Sequence, residues 1–202
     1  MVTPKIVPER TRYLVPFTQQ NYCCVPTNLQ TVMYRRNLPL VAAEVIADHL
    51  GLMVPPEDAH LFRQVWTSVE PQSSGYGTRI SEYSIPKMLL ALSIPLSFSQ
   101  VFADEIANPG DLLERLRQIE LKGEDAMLCF NHPVLIGEEY KPNAGHVVIF
   151  DYVHEGQVHI VDPSWKHPKW RAVDPAKLFE AMRRHGTGRE NDPGIWEFTS
   201  NT

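Results

Sequence analysis

Gly145-His146-Val147-Val148-Ile149-Phe150-Asp151-Tyr152-Val153-His154-Glu155-Gly156-Gln157-Val158-His159-Ile160-Val161-Asp162 reads as a complete β-hairpin. Gly145 to Val153 is apolar on both alternating faces, which predicts a strand in the middle of a sheet. His154-Glu155-Gly156 suits a three-residue connection with Gly156 in the left-handed conformation. Gln157 to Asp162 is then the returning strand. In that register Val153 pairs with Gln157, and Asp162 falls opposite Val148. His146 and Asp162 become diagonal neighbours on one face, about 7–8 Å apart before their side chains reach toward each other. A two-residue Glu155-Gly156 turn would place them on opposite faces. A carboxylate beside an imidazole fixes its tautomer and stabilises the imidazolium, so the pair has the makings of a general base and its orienter. Asp151 and His159 are second-choice members of such a pair. Gly145 leaves room beside His146 for a close approach of backbone or substrate.

A base needs a nucleophile, and the N-terminal half offers one in Gln19-Gln20-Asn21-Tyr22-Cys23-Cys24-Val25-Pro26-Thr27-Asn28-Leu29. Pro26 fits a first helical turn, and Leu29, Val32 and Met33 follow at i, i+3, i+4 spacing, so 24–36 is expected to be an amphipathic helix. A cysteine at a helix N-terminus sits in the positive end of the helix dipole, an environment that favours the thiolate. Adjacent helical residues point about 100° apart, so only one of Cys23 and Cys24 can face a cleft. The first-turn position favours Cys24. Cys23 and Cys129 are expected to pack. The Gln19 side-chain amide, on the extended lead-in, is placed to join a backbone N–H in an oxyanion hole.

Further helices are expected over 41–50, from Pro56 to Trp66, over 84–93, over 110–120, and from Asp174-Pro175 to Met182. Strands are expected at Ala126–Phe130 and Ile195–Phe198 besides the hairpin. Residues 67–80 read as a loop, rich in Gly and Ser, expected to be a plain surface loop rather than a phosphate cradle, with the border of a substrate cleft as the alternative. Trp165 and Trp170, between Pro163, Pro168 and the late helix, read as a packed crossover. Helices first and an antiparallel sheet after them make an α+β pattern, in a single domain over 1–202.

Composition narrows the function classes. The chain has 202 residues, 43% hydrophobic and 21% charged, with a formal net charge of −5. That mild acidity argues against nucleic acid as a partner. Three cysteines make no disulfide framework, and no Cys-x-x-Cys pair marks a structural zinc site. His154, His159 and His167 have no metal-ligand spacing and suit a surface role. No metal or organic cofactor is expected. The N-terminus has no signal-peptide character and no apolar run suits a membrane span, so the expectation is a cytoplasmic protein that does not engage membranes.

Taken together, the two motifs resemble those of the papain-like cysteine peptidases, most of all the bacteriocin-leader (double-glycine) peptidase branch and its stand-alone relatives. That branch reads Gln, a short gap, then Cys-Gly-Pro with a small residue and an apolar helix, matched here by Gln19 and by Cys24-Val25-Pro26-Thr27-Asn28-Leu29. Its second motif, Gly-His, aliphatics, a turn and Asp-Pro, is matched by Gly145-His146-Val147-Val148-Ile149 and Val161-Asp162-Pro163. Val25 stands where the branch has glycine, and the gap from Gln19 to Cys24 is shorter than in papain. The resemblance implies a papain-like fold, with Cys24 as nucleophile, His146 as general base, Asp162 as orienter and Gln19 as oxyanion donor. It implies a thiol peptidase acting on a peptide or protein through an acyl-enzyme. The same chemistry serves acyltransferases, transpeptidases and deamidases, and the fold also suits a non-catalytic binding module.

Overall fold

Cys24–Arg35 is the first helix, α1, and it is almost wholly sunk in the protein: Val25, Pro26, Thr27, Asn28, Leu29, Thr31, Val32 and Met33 are buried. The computed structural model describes residues 14–80 and 83–200. Along them follow α2 (Ala43–His49), β1 (Met53–Val54), β2 (Trp66–Thr67), α3 (Ile85–Ala91) and β3 (Leu96–Phe102). The second half holds α4 (Pro109–Lys122), β4 (Asp125–Asn131), α5 (His132–Leu135), β5 (Gly145–His154), β6 (Gln157–Val161), β7 (Trp170–Val173), α6 (Pro175–Arg183) and β8 (Gly194–Ser200). Among the described residues, β3 to β8 form one antiparallel sheet of six strands in the order β3-β8-β4-β5-β6-β7. The α+β architecture is the one expected.

Strand periodicity explains the layering. Met127, Cys129, Val147, Ile149, Val161, Trp196 and Phe198 point to one face, where they pack with α1, α2 and α3. Ala126, Leu128, Phe130, Val148, Phe150, Ile160 and Ile195 point to the other, packing with Leu112 and Leu116 of α4 and Leu178 and Met182 of α6. With helices on both faces, β4 has no solvated side, and every one of its residues is buried. α4 and α6 begin on the side chains of Asn108 and Asp174, each accepting two backbone N–H bonds as an N-cap. One ion cluster ties α1 to the sheet: Asp125, 1% exposed, is ion-paired with Arg35 at 2.6 Å and accepts a hydrogen bond from Arg36.

The hairpin reaches the expected register by a different route. His154 pairs with Gln157, so the turn has two residues, Glu155 and Gly156, both left-handed at φ 49° and 74°. Alone, that turn would separate His146 from Asp162. A bulge intervenes, because Phe150 pairs with Ile160 while Tyr152 pairs with His159, leaving Asp151 as the extra residue. Beyond it Ile149 pairs with Val161, and Asp162 comes opposite Val148 after all. The turn is one residue shorter than expected, and the bulge compensates for it.

Other expectations need correction. The helix expected from Pro56 to Trp66 is only a 3-10 turn, Pro56–Leu61, and Trp66 belongs to β2, paired in parallel with β1. That stretch has no apolar stripe to bury, and Phe62 and Val65 alone turn inward. β3 is an unexpected strand, although Leu96 and Phe98 alternate with Ser97 and Ser99. β7 is unexpected too: Trp170 is not in a packed crossover but on the edge strand, 58% exposed, and Trp165 is 63% exposed. The strand expected at Ile195–Phe198 is present within β8, which enters between β3 and β4.

Candidate active site

The site forms where the N-terminus of α1 meets the first residues of β5. Gln20 and Cys23 close a turn (Cys23 N–H to Gln20 O, 3.0 Å), and Tyr22 takes a left-handed φ of 67° within it. Its hydroxyl donates to Asp58 Oδ2 at 2.5 Å and its ring meets Tyr76 edge-on, contacts that hold the strained residue in place. Cys23 is then the N-cap and Cys24 the first helical residue. First-turn N–H groups have no partner inside a helix, and Pro26 contributes none. Asn28, one turn on, donates to Val147 O at 2.7 Å and so locks the helix against the start of β5.

The two adjacent cysteines take opposite fates, as their angular separation requires. Cys23 is 1% exposed and packs with Ala47, Leu52, Val54 and Phe62. Burial pushes its thiol up to about 12. Cys24 is half-buried and lines a cavity of about 60 Å³ together with Gln72, Ser74, Gly75, His146 and His185. Cys129 is buried, and burial raises its thiol well above the ordinary range.

His146 lies beside the Cys24 side chain, and both line the same cavity. Its Nε2 lies 2.8 Å from Asp162 Oδ1, which leaves Nδ1 as the ring atom for the thiol. Burial alone would lower the His146 pKa; the hydrogen bond that Asp162 accepts from the ring, the neighbouring Cys24 thiol and the charges on both outweigh it, and raise it to about 9. Asp162 is fully buried. Burial opposes its charge, yet the His146 bond and charge, the Ser164 N–H at 2.9 Å and the Arg171 guanidinium hold its pKa down at about 2. The imidazole is thus hydrogen-bonded to an ionised carboxylate and has the thiol as its neighbour on the cavity side.

Arg171 is a residue the sequence did not disclose. From the edge strand β7 it donates Nη2 to Asp162 Oδ2 at 2.7 Å, so that each carboxylate oxygen has its own charged or N–H partner. Its place follows from β7 pairing with β6, Ile160 opposite Arg171, and only recognition of that strand would have revealed it. His132 is another undisclosed member. Its ring stands edge-on to His146 at 5.2 Å, and His167 lies against it at 4.4 Å. Burial, His146 and His167 push the His132 pKa down to about 3, so it is a neutral wall over the His146 ring. His167 is therefore apart from His154 and His159, which lie at 6.2 Å from each other on the hairpin. Among the described residues no three His, Cys, Asp or Glu side chains are grouped to hold a metal ion.

The second-choice pair is dispersed. Asp151 is the bulge residue, facing Arg35 and Glu120, and His159 stacks on Tyr152 at 4.2 Å. Gln19 is half-buried beside the Asp162 end of the site, its N–H donating to Pro163 O at 2.9 Å, and its Oε1 has no hydrogen-bond partner among the described residues. The Gly- and Ser-rich loop is more than the plain surface loop expected, since Gln72 and Ser74 to Ile80 line the cavity.

No family model matches the chain and no curated protein matches it. Among solved structures the chain is similar to one described as a "putative C39-like peptidase" from Bacillus anthracis, with a TM-score of 0.56 and 16% identity over 92% of this chain and 94% of that one. The chain has a C39-like peptidase fold. At that identity the likeness concerns architecture. No helix of the described residues is long and apolar enough to cross a membrane.

Gly145 illustrates how tightly this fold is drawn around the site. A Cβ there would lie 2.8 Å from His185 Cε1 and 3.4 Å from Ser74 O, whose carbonyl the Gly145 N–H already bonds at 2.8 Å. The room beside His146 is filled by a ring. Gly145→Ala is expected to destabilise the protein by about 1–3 kcal/mol through overpacking, with the urea midpoint as the measure. An unchanged midpoint would mean that His185 yields freely.

Proposed function

We propose that the chain is a cysteine peptidase that cleaves a peptide or isopeptide bond through an acyl-enzyme. The observation that carries this reading is the His146–Asp162 hydrogen bond beside the Cys24 thiol, with the thiol on a cavity and the carboxylate buried. In the proposed cycle His146 draws the Cys24 proton, and the thiolate adds to the scissile carbonyl. The oxyanion that forms is held by the Cys24 N–H at the helix terminus and by the Gln19 amide. His146 returns the proton to the leaving amine, and water then cleaves the thioester with His146 as base. Asp162, itself steered by Arg171, keeps the ring oriented and its charge stabilised throughout. The cavity is open at one side and lined by Gly75, Gly77 and Gly145 near the thiol, which supports an extended peptide or protein segment as substrate.

Alkylation tests the thiol directly. Iodoacetamide is expected to label Cys24 at least about tenfold faster than Cys23 or Cys129 at neutral pH, as mapped by mass spectrometry, because only Cys24 has a basic partner and an open face. The fast phase should vanish in His146→Ala. Equal, slow labelling of all three thiols would remove the activated nucleophile and leave a binding module.

A further inference from the structure

The wall of the Cys24 cavity carries a second imidazole that the proposed cycle does not use. His185 follows α6 and is 3% exposed. Its Nδ1 lies 2.9 Å from Asn143 Oδ1. The orientation of that amide is fixed, because Asn143 Nδ2 donates to the His185 carbonyl at 3.0 Å, and Asn191 Nδ2 donates to the same oxygen at 2.8 Å. Asn143 therefore presents its oxygen to the ring, and Nδ1 must carry the proton. Burial lowers the His185 pKa to about 4, so at neutral pH the ring is uncharged and Nε2 holds a bare lone pair.

His185 is part of the wall of the cavity that holds Cys24. Nε2 would stand 3.0 Å from a Cβ on Gly145, the residue before His146, and both His185 and Gly145 line the cavity that holds Cys24. Nε2 makes no hydrogen bond to any described residue, in a side chain otherwise fully engaged. The loop behind it is built with strain: Asn191 and Asp192 are consecutive left-handed residues, at φ 59° and 50°, and Asp192 O accepts from the buried Trp196 indole at 2.9 Å. Strain kept at a cavity wall by such bonds is a mark of a held position rather than a passive one.

We propose that His185 is a specificity residue whose Nε2 accepts a hydrogen bond from one backbone N–H of an extended substrate lying in the Cys24 cavity. This rests on the peptidase reading in taking a peptide as ligand, and it adds a rule: the position facing His185 must have an N–H, so proline and N-alkylated residues are refused there. A buried acceptor left unpaired disfavours such ligands, which is how a polar site discriminates strongly.

The test separates this proposal from the chemistry. Acetyl-pentaglycine amide, and its analogues each carrying one N-methylated glycine, are titrated into Cys24→Ala protein with ¹⁵N-labelled histidine. The expected result is a saturable upfield movement of the His185 Nε2 signal, since an accepting nitrogen loses lone-pair character. One N-methyl analogue should bind about tenfold more weakly than the parent, and that loss should disappear in the Cys24→Ala, His185→Phe protein. An Nε2 signal that stays still, or an N-methyl penalty equal in both proteins, overturns the proposal. The signal in the unaltered ring keeps the test decisive even where His185→Phe fails to fold. Iodoacetamide labelling of Cys24 in the unsubstituted chain reads the peptidase mechanism independently, so failure of one reading is distinguishable from failure of the other.

Discussion

Cys24→Ala is expected to fold and to leave no measurable cleavage of peptide substrates, and His146→Ala is expected to match it. The loss in kcat/KM should be at least about 10³-fold for either. The fold should tolerate both. Cys24 is half-buried on a cavity, so alanine opens no core void, and alanine suits a first helical turn. His146→Ala is harsher, because it takes a partner from the buried Asp162. That carboxylate keeps the Ser164 N–H and the Arg171 guanidinium, so its charge stays paired. Thiol and imidazole act as a unit, hence the double substitution should cost little more than either one alone. Product analysis by mass spectrometry checks all three proteins, with circular dichroism as the folding control. A folded Cys24→Ala protein with full activity would strip the thiol of its role.

The parts of this site that were legible in the sequence are those with local causes. Cys24 could be separated from Cys23 because a proline and an apolar stripe fix where a helix starts, and a helix permits only one of two neighbours to face a cleft. The structure buries Cys23 and opens Cys24 accordingly. The hairpin was legible because β5 is apolar on both faces and ends in turn residues. Its details were not: the bulge at Asp151 leaves no local signature, since Asp151 and Tyr152 are both compatible with a regular strand. The correct register emerged from a wrong turn and an unseen bulge. Residues brought in by sheet order were invisible for a stronger reason. Arg171 sits nine positions beyond Asp162 on an edge strand, and His185 follows a helix on the far face. Nothing in either neighbourhood announces a partner. Serine-rich β3 and the Trp170 strand are marginal by composition and owe their form to pairing with β8 and β6.

Asp162→Asn is expected to lower kcat/KM by about 10²-fold or more and to move the alkaline limb of the pH profile downward. The sign follows from the charges. In the unsubstituted protein the His146 pKa is raised to about 9, so the imidazolium that must protonate the leaving amine persists up to that pH and is lost above it. The alkaline limb, a property of the coupled thiol–imidazole pair, should therefore lie near pH 9. Asparagine removes the carboxylate that accepts from His146 and leaves the charge on Arg171 without its counter-ion. Burial then pulls the imidazole pKa down against less opposition, and the unneutralised guanidinium pushes the same way. The limb should retreat toward the ordinary histidine value of about 6.5. The introduced amide also has an NH₂ group able to face the ring, which would leave the proton on the wrong nitrogen and account for lost rate even at the new optimum. Single-turnover acylation followed from about pH 5 to about pH 10 spans both limbs and measures both effects. If the alkaline limb of Asp162→Asn stayed near pH 9, the charge on His146 would owe nothing to Asp162, and the buried carboxylate would be a structural partner of Arg171 alone.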